Sequence, residues 1–155
     1  MEDSKLPAPG GPLPPVLLLV AILLMFVLHR LFPVVQLIAA GWRLAGAVPV
    51  AAGLLLNLWT DQLFKSAGTA VKPFETSVSL VLQGPFLFSR NPMYLGMAMV
   101  LAGIAIGLGS ATPWLVIPLF IWQLTVRYIV PEERKLEASF GSEYVDYMAR
   151  VRRWV

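Results

Sequence analysis

The chain of 155 residues is 57% hydrophobic and only 14% charged, and it contains no cysteine. A soluble domain of this size could not bury so much apolar surface, so the composition favours a membrane protein. The absence of cysteine excludes disulfides, thiolate metal sites and cysteine nucleophiles. The net charge is +3, and we expect neither a nucleic-acid partner nor a bound metal.

The predicted elements begin after a Pro- and Gly-rich stretch, residues 1–13, which predicts a loose tail. Four apolar runs follow, and each is suited to a helix that crosses about 30 Å of hydrocarbon. They cover residues 14–32, 44–64, 93–109 and 114–130. We interpret the first as a retained anchor rather than a secretory signal, because Glu2 and Asp3 precede it and no cleavage site follows. The last two runs are so close that they predict an antiparallel hairpin.

Lys and Arg residues concentrate on one side of these four spans, and such residues mark the cytoplasmic side. On that side lie Lys5, Lys65, Lys72, Arg90, Arg134, Lys135, Arg150, Arg152 and Arg153. Only Arg30 and Arg43 fall on the other side. We therefore expect both termini in the cytoplasm. The predicted fold is all-α, a polytopic membrane helical bundle of about four transmembrane helices plus a cytoplasmic C-terminal amphipathic helix.

A polar block, SVSLVLQGPFLFSRNPMYLG, precedes the third span and covers residues 77–96. Gly84 and Pro85 mark a turn, and Pro92 stands where a helix would begin, at a position whose missing N–H costs nothing. The first turn of this helix would face the cytosol with Arg90 just before it. Such a helix start is suited to a carboxylate or a phosphate, although contact of Arg90 with lipid headgroups explains the same pattern.

A second polar block, PEERKLEASFGSEYVDYMARVRRWV, follows the fourth span and covers residues 131–155. Pro131 and the two acids after it predict a helix start. Apolar side chains then recur at helical spacing at Leu136, Phe140, Tyr144, Tyr147, Met148 and Val151. This stripe predicts a helix that lies on the membrane or covers the cytoplasmic ends of the spans, with packing favoured over recognition. The final Arg and Trp residues predict an interfacial anchor.

A few polar or small residues interrupt the spans. Gln123 and Arg127 share one face of the fourth span, where ionisable groups usually face a cavity or the bundle interior, but Arg127 is close enough to the surface to reach headgroups. Gly103 and Gly107 predict close approach of a neighbouring helix, with packing inside the chain favoured over dimerisation. His29 receives no chemical role.

The two blocks, in this order around an apolar hairpin, resemble the isoprenylcysteine carboxyl methyltransferase and phospholipid methyltransferase group of integral membrane enzymes. The resemblance covers residues 71–155. It implies S-adenosylmethionine as methyl donor, bound at the cytoplasmic face between the blocks and covered by the tail. The first two predicted spans form an N-terminal transmembrane helix pair, residues 14–64, and the resemblance implies that residues 65–155 form a cofactor-binding methyltransferase core. By analogy, the short spans point to a bacterial member in the inner membrane.

The cofactor-binding positions of this family carry over to the present sequence residue by residue. They comprise the stretch before the glycine turn, the aromatic residue after it, the motif that starts the third span and an acid of the second block. Here these are Val78, Ser79, Leu80, Val81, Phe86, Asn91, Pro92, Met93, Tyr94 and Glu132. Asn91 stands where the family usually has histidine, so this position keeps hydrogen bonding but loses a group that ionises near neutral pH.

Three residues are the candidates for the catalytic side of the site: Arg90, Arg127 and Tyr128. The arginine with which family members hold a substrate carboxylate aligns with Tyr128, while Arg127 comes one position earlier. One residue turns a helical side chain by about 100°. The resemblance therefore leaves both positions open for contact with the substrate.

The expected reaction is methyl transfer to an amphiphilic or lipidic acceptor that enters from the surrounding membrane lipids. A carboxylate acceptor needs no base, whereas a protonated amine must first lose its proton, and neither block contains a histidine. This favours carboxyl O-methylation of the isoprenylcysteine kind. The alternatives are N-methylation of a phospholipid headgroup and a non-catalytic membrane scaffold.

Overall fold

The computed structural model describes residues 12–68 and 80–155, and its regular elements in these ranges are all helical. The helices are α1 (Pro14–Leu31), α2 (Ala47–Ser66), α3 (Pro92–Leu108), α4 (Val116–Leu124), α5 (Val130–Phe140) and α6 (Ser142–Arg150). Short 3-10 turns at Ala40–Gly46, Gly84–Leu87 and Thr112–Leu115 precede α2, α3 and α4. The predicted all-α fold is confirmed.

Within the described ranges, three helical segments are long and apolar enough to cross a bilayer, and these are Pro14–Leu31, Ala40–Ser66 and Thr112–Phe140. The 17-residue α3 is a shorter apolar helix. The first two segments have only 17% of their most apolar window buried inside the protein. Their remaining apolar surface needs lipid as its solvent, so the chain is a helical membrane protein whose spans lie where the sequence predicted them.

Proline and glycine set the ends of two spans. Pro14 and Pro92 occupy the first position of α1 and α3, where a backbone N–H would have no partner inside the helix. Gly109 ends α3 in the left-handed region, with φ of 78°. The chain then turns within a few residues into α4, which forms the predicted hairpin.

The fourth span continues into the polar helix of the second block without a break. A π-helical turn, Thr125–Ile129, joins α4 to α5. The helix expected to start at Pro131 therefore has no free N-terminus. A proline ring inside a helix clashes with the carbonyl four residues earlier, and that carbonyl lies in the wider π turn. Residues 112–130 are mostly apolar, whereas charged residues are frequent from Glu132 onward, so this end of the helix is expected to project from the hydrocarbon.

Glycines let α2 and α3 pack with their backbones nearly in contact. A Cβ added at Gly96 would lie 2.7 Å from the carbonyl oxygen of Gly53, and one added at Gly103 would overlap the carbonyl oxygen of Gly46. Gly107 has nothing nearer to such an atom than 4.0 Å. Packing within the chain, as predicted, is thus the use of Gly103.

The described side chains form two apolar clusters. The larger lies among α1, α3 and α4 and includes fully buried Met25, Leu101 and Leu124. The smaller joins α6 to the turn before α3 through Phe86 and Tyr144. It also takes in the predicted amphipathic stripe, which consists of Leu136, Phe140, Tyr144, Tyr147, Met148 and Val151. The tail therefore covers the end of the bundle at which α3 begins.

Candidate functional site

A hydrogen bond joins the start of α3 to the start of α5. The hydroxyl of Tyr94 donates to Oε1 of Glu132 over 3.0 Å. Tyr94 is only 7% exposed and Glu132 is half-buried. Pro92 fixes the first turn of α3, and α5 continues from α4 through the π turn, so both residues lie at the same end of the bundle.

The Glu132 carboxyl lies just outside the apolar part of the fourth span and is poorly solvated. Its pKa is raised to about 7, mainly by burial and to a smaller extent by the nearby charge of Glu133. The hydrogen bond from Tyr94 and the charge of Lys135 act in the opposite direction. The Glu132 carboxyl therefore changes its charge near neutral pH. A cation or a hydrogen-bond donor beside it would stabilise its ionised form.

The π turn decides which residue of the Arg127 and Tyr128 pair faces the site. Tyr128 is 3% exposed, and its ring centroid lies 6.4 Å from that of Tyr94. Its hydroxyl donates to the carbonyl of Pro12, just before α1. Arg127 is exposed. Tyr94 thus contacts both Tyr128 and Glu132, while Arg127 is directed away from this group.

A second acid, Glu133, lies between two arginines. Its Oε1 is 3.0 Å from Nη1 of Arg90, and its Oε2 is 2.6 Å from Nη2 of Arg153. Nε of Arg153 is 3.1 Å from both oxygens. Glu133 is only 7% exposed, and a carboxylate buried to this degree requires such pairing. Arg90 therefore binds a residue of the chain itself.

The C-terminal residues lie over the start of α3. The backbone N–H of Arg90 donates to the carbonyl of Arg152 over 3.0 Å, and Nδ2 of Asn91 donates to the carbonyl of Arg153 over 3.1 Å. The hydroxyl of Ser89 donates to the same carbonyl over 3.4 Å. The start of α3, expected to face the cytosol, is instead covered by the tail, and Asn91 is 9% exposed.

An aromatic cluster flanks this region. Phe86 packs edge-on against Phe64 of α2, with ring centroids 5.4 Å apart, and its carbonyl accepts a 2.7 Å hydrogen bond from the hydroxyl of Tyr147. Further members of the cluster are Leu80, Val81, Tyr144 and Val151. Burial raises the pKa of the Tyr144 hydroxyl, whereas the charge of Arg90 and a hydrogen bond with Arg90 lower it. The cluster therefore adjoins the ion pairs of Glu133.

The residues predicted from the sequence fall into separate groups. Tyr94, Tyr128 and Glu132 form one contact set, and Arg90 and Asn91 form another with the tail. Phe86, Leu80 and Val81 belong to the aromatic cluster. Pro92 is fully buried at the first position of α3, and Met93 is half-buried beside it. Val78 and Ser79 lie outside the described residues.

Sequence reasoning missed Glu133, Arg153 and Tyr147. Arg153 was interpreted as part of a membrane anchor, and Glu133 only as an acid suited to a helix start. Two consecutive acids on a helix point about 100° apart, so they cannot share one partner. That spacing was the available signal that the second acid needs a partner of its own.

Comparison with known proteins identifies the family. Residues 42–143, more than half of the chain, match the family described as phospholipid methyltransferase. The chain belongs to this family. It is therefore a member of a group of membrane methyltransferases, as the two sequence blocks predicted. The matched range contains the Tyr94 and Glu132 contact and the π turn, whereas Arg153 lies beyond it.

One similar protein covers part of this chain. It is an uncharacterized protein of Haemophilus influenzae that is 38% identical over 63 residues, which is 41% of this chain and 100% of that protein. No solved structure matches the chain. Among the described residues there is also no group of three or more His, Cys, Asp or Glu side chains placed to hold a metal ion.

Proposed function

We propose that this protein is an S-adenosylmethionine-dependent methyltransferase that acts on a lipidic acceptor at the cytoplasmic surface of the membrane. The observation that carries the proposal is the contact of Tyr94 with Glu132 at the surface end of the bundle, in a chain of the phospholipid methyltransferase family. Both residues are among the cofactor-binding positions that the sequence resemblance implies.

The chemistry of this pair fits the proposed cofactor. S-adenosylmethionine carries a positive sulfonium, an ammonium and ribose hydroxyls. Glu132 offers a poorly solvated carboxyl whose pKa of about 7 leaves it ready to accept a hydrogen bond from a cation or a hydroxyl. The aromatic cluster at Phe86 offers an apolar surface with Leu80 and Val81 for a purine.

When bound, S-adenosylmethionine supplies a methyl group that is electrophilic because of the adjacent sulfonium charge. The protein's own task is to align two reactants and to exclude water. Glu132 would hold the positively charged side of the cofactor, and Tyr94 keeps the Glu132 carboxyl in place. The buried Tyr128 closes the site toward the α1, α3 and α4 cluster.

The choice of acceptor is part of the proposal. Arg127, one of the two positions left open for holding an acceptor carboxylate, is exposed, and Arg90 pairs with Glu133. Carboxyl O-methylation is therefore supported by the lack of any need for a base rather than by an arginine in contact with the acceptor. Glu132 can accept a proton near neutral pH, which methylation of an amine requires. N-methylation of an amine headgroup is therefore the second candidate beside carboxyl O-methylation.

Calorimetric titration of S-adenosylhomocysteine into the purified full-length protein tests the cofactor. We expect Glu132→Gln to weaken binding by about tenfold or more, because a hydrogen bond to a charged group contributes roughly 1.5–3 kcal/mol. Tyr94→Phe should weaken it less. Glu137 is an exposed acid on the same helix, and Glu137→Gln is the matched control with unchanged affinity.

The same protein separates the acceptors. Membranes incubated with S-adenosylmethionine labelled in its methyl group should yield labelled lipid, from which mild alkali releases methanol if the product is an ester. An N-methylated headgroup keeps its label. Failure of a well-folded protein to bind S-adenosylhomocysteine at all would favour the scaffold over the enzyme.

A further inference from the structure

The interaction of Glu133 with two arginines lies directly beside the proposed cofactor contact, on the next residue of the same helix. Arg153 contributes three short contacts to the Glu133 carboxylate, and Arg90 contributes one. Guanidinium and carboxylate groups that meet through two nitrogens fix their mutual orientation as well as their distance. This geometry therefore constrains the rotation of α5 about its own axis.

The rotation of α5 decides where Glu132 points. Adjacent residues on a helix project about 100° apart, so holding Glu133 toward the tail directs Glu132 toward α3. There it meets the hydroxyl of Tyr94 at 3.0 Å. The π turn immediately before α5 makes this constraint necessary, since such a turn breaks the regular hydrogen-bond register of the helix.

We propose that Arg153 and Glu133 are positioning residues, which hold α5 in the rotation that places Glu132 against Tyr94 in the cofactor site. Arg90 is the second partner of this ion triad. The inference rests on the proposed function for the role of the site, whereas the contact between Tyr94 and Glu132 is a feature of the fold itself. Through its ion pair with Glu133, the C-terminal tail therefore helps to set the direction in which Glu132 points.

The backbone of the tail is held independently of the Arg153 side chain. The carbonyls of Arg152 and Arg153 accept hydrogen bonds from the backbone of Arg90 and the side chain of Asn91. Arg153→Ala should therefore keep the tail in place while removing the bidentate contact to Glu133. Arg152 provides the matched control, because its side chain is exposed and only its carbonyl is used.

The first measurement is the affinity of the full-length protein for S-adenosylhomocysteine. We expect Arg153→Ala to weaken binding about tenfold, the effect of losing one well-placed charged hydrogen bond. Arg153→Lys keeps the charge but not the fork, and it should fall between Arg153→Ala and the unchanged protein. Arg152→Ala should leave the affinity within about twofold.

The second measurement needs no ligand and reads the contact directly. The infrared C=O band of protonated Glu132, identified by its loss in Glu132→Gln, should shift in Tyr94→Phe because the hydrogen bond is removed. Arg153→Ala should reproduce that shift, and Arg152→Ala should not. If Arg153→Ala fails to fold, Arg153→Lys supplies the same comparison.

The outcomes are distinct. A Glu132 band that stays unchanged in Arg153→Ala and Arg153→Lys would overturn the positioning role, whatever the effect on thermal stability. Absence of S-adenosylhomocysteine binding by the unchanged protein, with the band shift present in both variants, would contradict the proposed function and leave the positioning role supported.

Discussion

At the scale of single residues, two neighbouring acids have opposite environments. Glu133 is 7% exposed and its carboxylate is paired with Arg90 and Arg153. Glu132 has a hydrogen bond from Tyr94, and its pKa is raised to about 7. A buried acid paired with cations is suited to fixing structure, whereas one that is poorly neutralised is suited to receiving a charged ligand.

Glu132 should make ligand binding depend on pH. The ionised carboxylate is the form that holds a cation, so affinity for S-adenosylhomocysteine should be full above the raised pKa. It should fall as pH decreases through about 7, by up to about tenfold for each further pH unit. Titrations between about pH 5.5 and 8.5 measure this dependence, because that range brackets the pKa of Glu132. Glu132→Gln should flatten the profile, and a profile identical in both proteins would contradict the assignment.

At the scale of elements, the π turn determines the inner face of the fourth helix. In a regular α-helix, Gln123 and Arg127 would share a face. The turn Thr125–Ile129 adds a residue to the local repeat, so Tyr128 is buried beside Tyr94 and Arg127 is exposed. Such π turns frequently occur at functional sites, and this one immediately precedes the proposed cofactor contact.

The second important feature at this scale is the close packing of α2 against α3. It depends on glycines in both helices, including Gly53 opposite Gly96 and Gly46 opposite Gly103. In lipid there is no hydrophobic force between helices, so close packing of small residues supplies the attraction instead. This contact holds the start of α3, and with it Tyr94, at a fixed depth.

Two glycines one helical turn apart should therefore respond differently to substitution. Gly103→Ala places a methyl group against the backbone of Gly46 and should lower stability by about 1–3 kcal/mol, the usual cost of overpacking. Gly107→Ala meets open space, with its nearest atom at 4.0 Å, and should be neutral or mildly stabilising. Thermal unfolding in detergent measures both variants. Equal losses would show that helix packing does not decide the effect.

At the scale of the whole molecule, the proposed site lies at the same end of the bundle as most of the described basic residues. Lys65 at the end of α2 and the residues after the fourth span share this end with Tyr94 and Glu132. The bend near His29, whose ring bonds to Ser110 over 2.7 Å, belongs to the other end. A site that receives a soluble cofactor requires its end of the bundle to face the cytosol.

Single introduced cysteines test this orientation, because the chain has no cysteine of its own. Ser142→Cys, in the exposed start of α6, should react with a membrane-impermeant maleimide only after the cells are permeabilised, because the reagent must reach the cytoplasmic side. Leu37→Cys, at a residue 59% exposed near the other end, should react in intact cells. The reverse pattern would place the site on the outer face and contradict a cytosolic cofactor.

The sequence by itself determined the helical membrane class, the positions of the four spans and the family. Runs of apolar residues leave helices as the only way to satisfy backbone groups in lipid, and this requirement does not depend on the neighbours of each helix. The two polar blocks likewise carried Tyr94 and Glu132 as candidate residues. The contact between them could not be predicted from the sequence, since 38 residues separate the two positions.

The tertiary structure alone decided which side chains face the site. The exposure of Arg127 and the burial of Tyr128 follow from a π turn, which has no reliable signature in residue spacing. The pairing of Glu133 with Arg153 follows from the path of the tail across α3. Both depend on how separate helices rotate against one another, and that rotation is fixed by contacts distant in sequence rather than by local pattern.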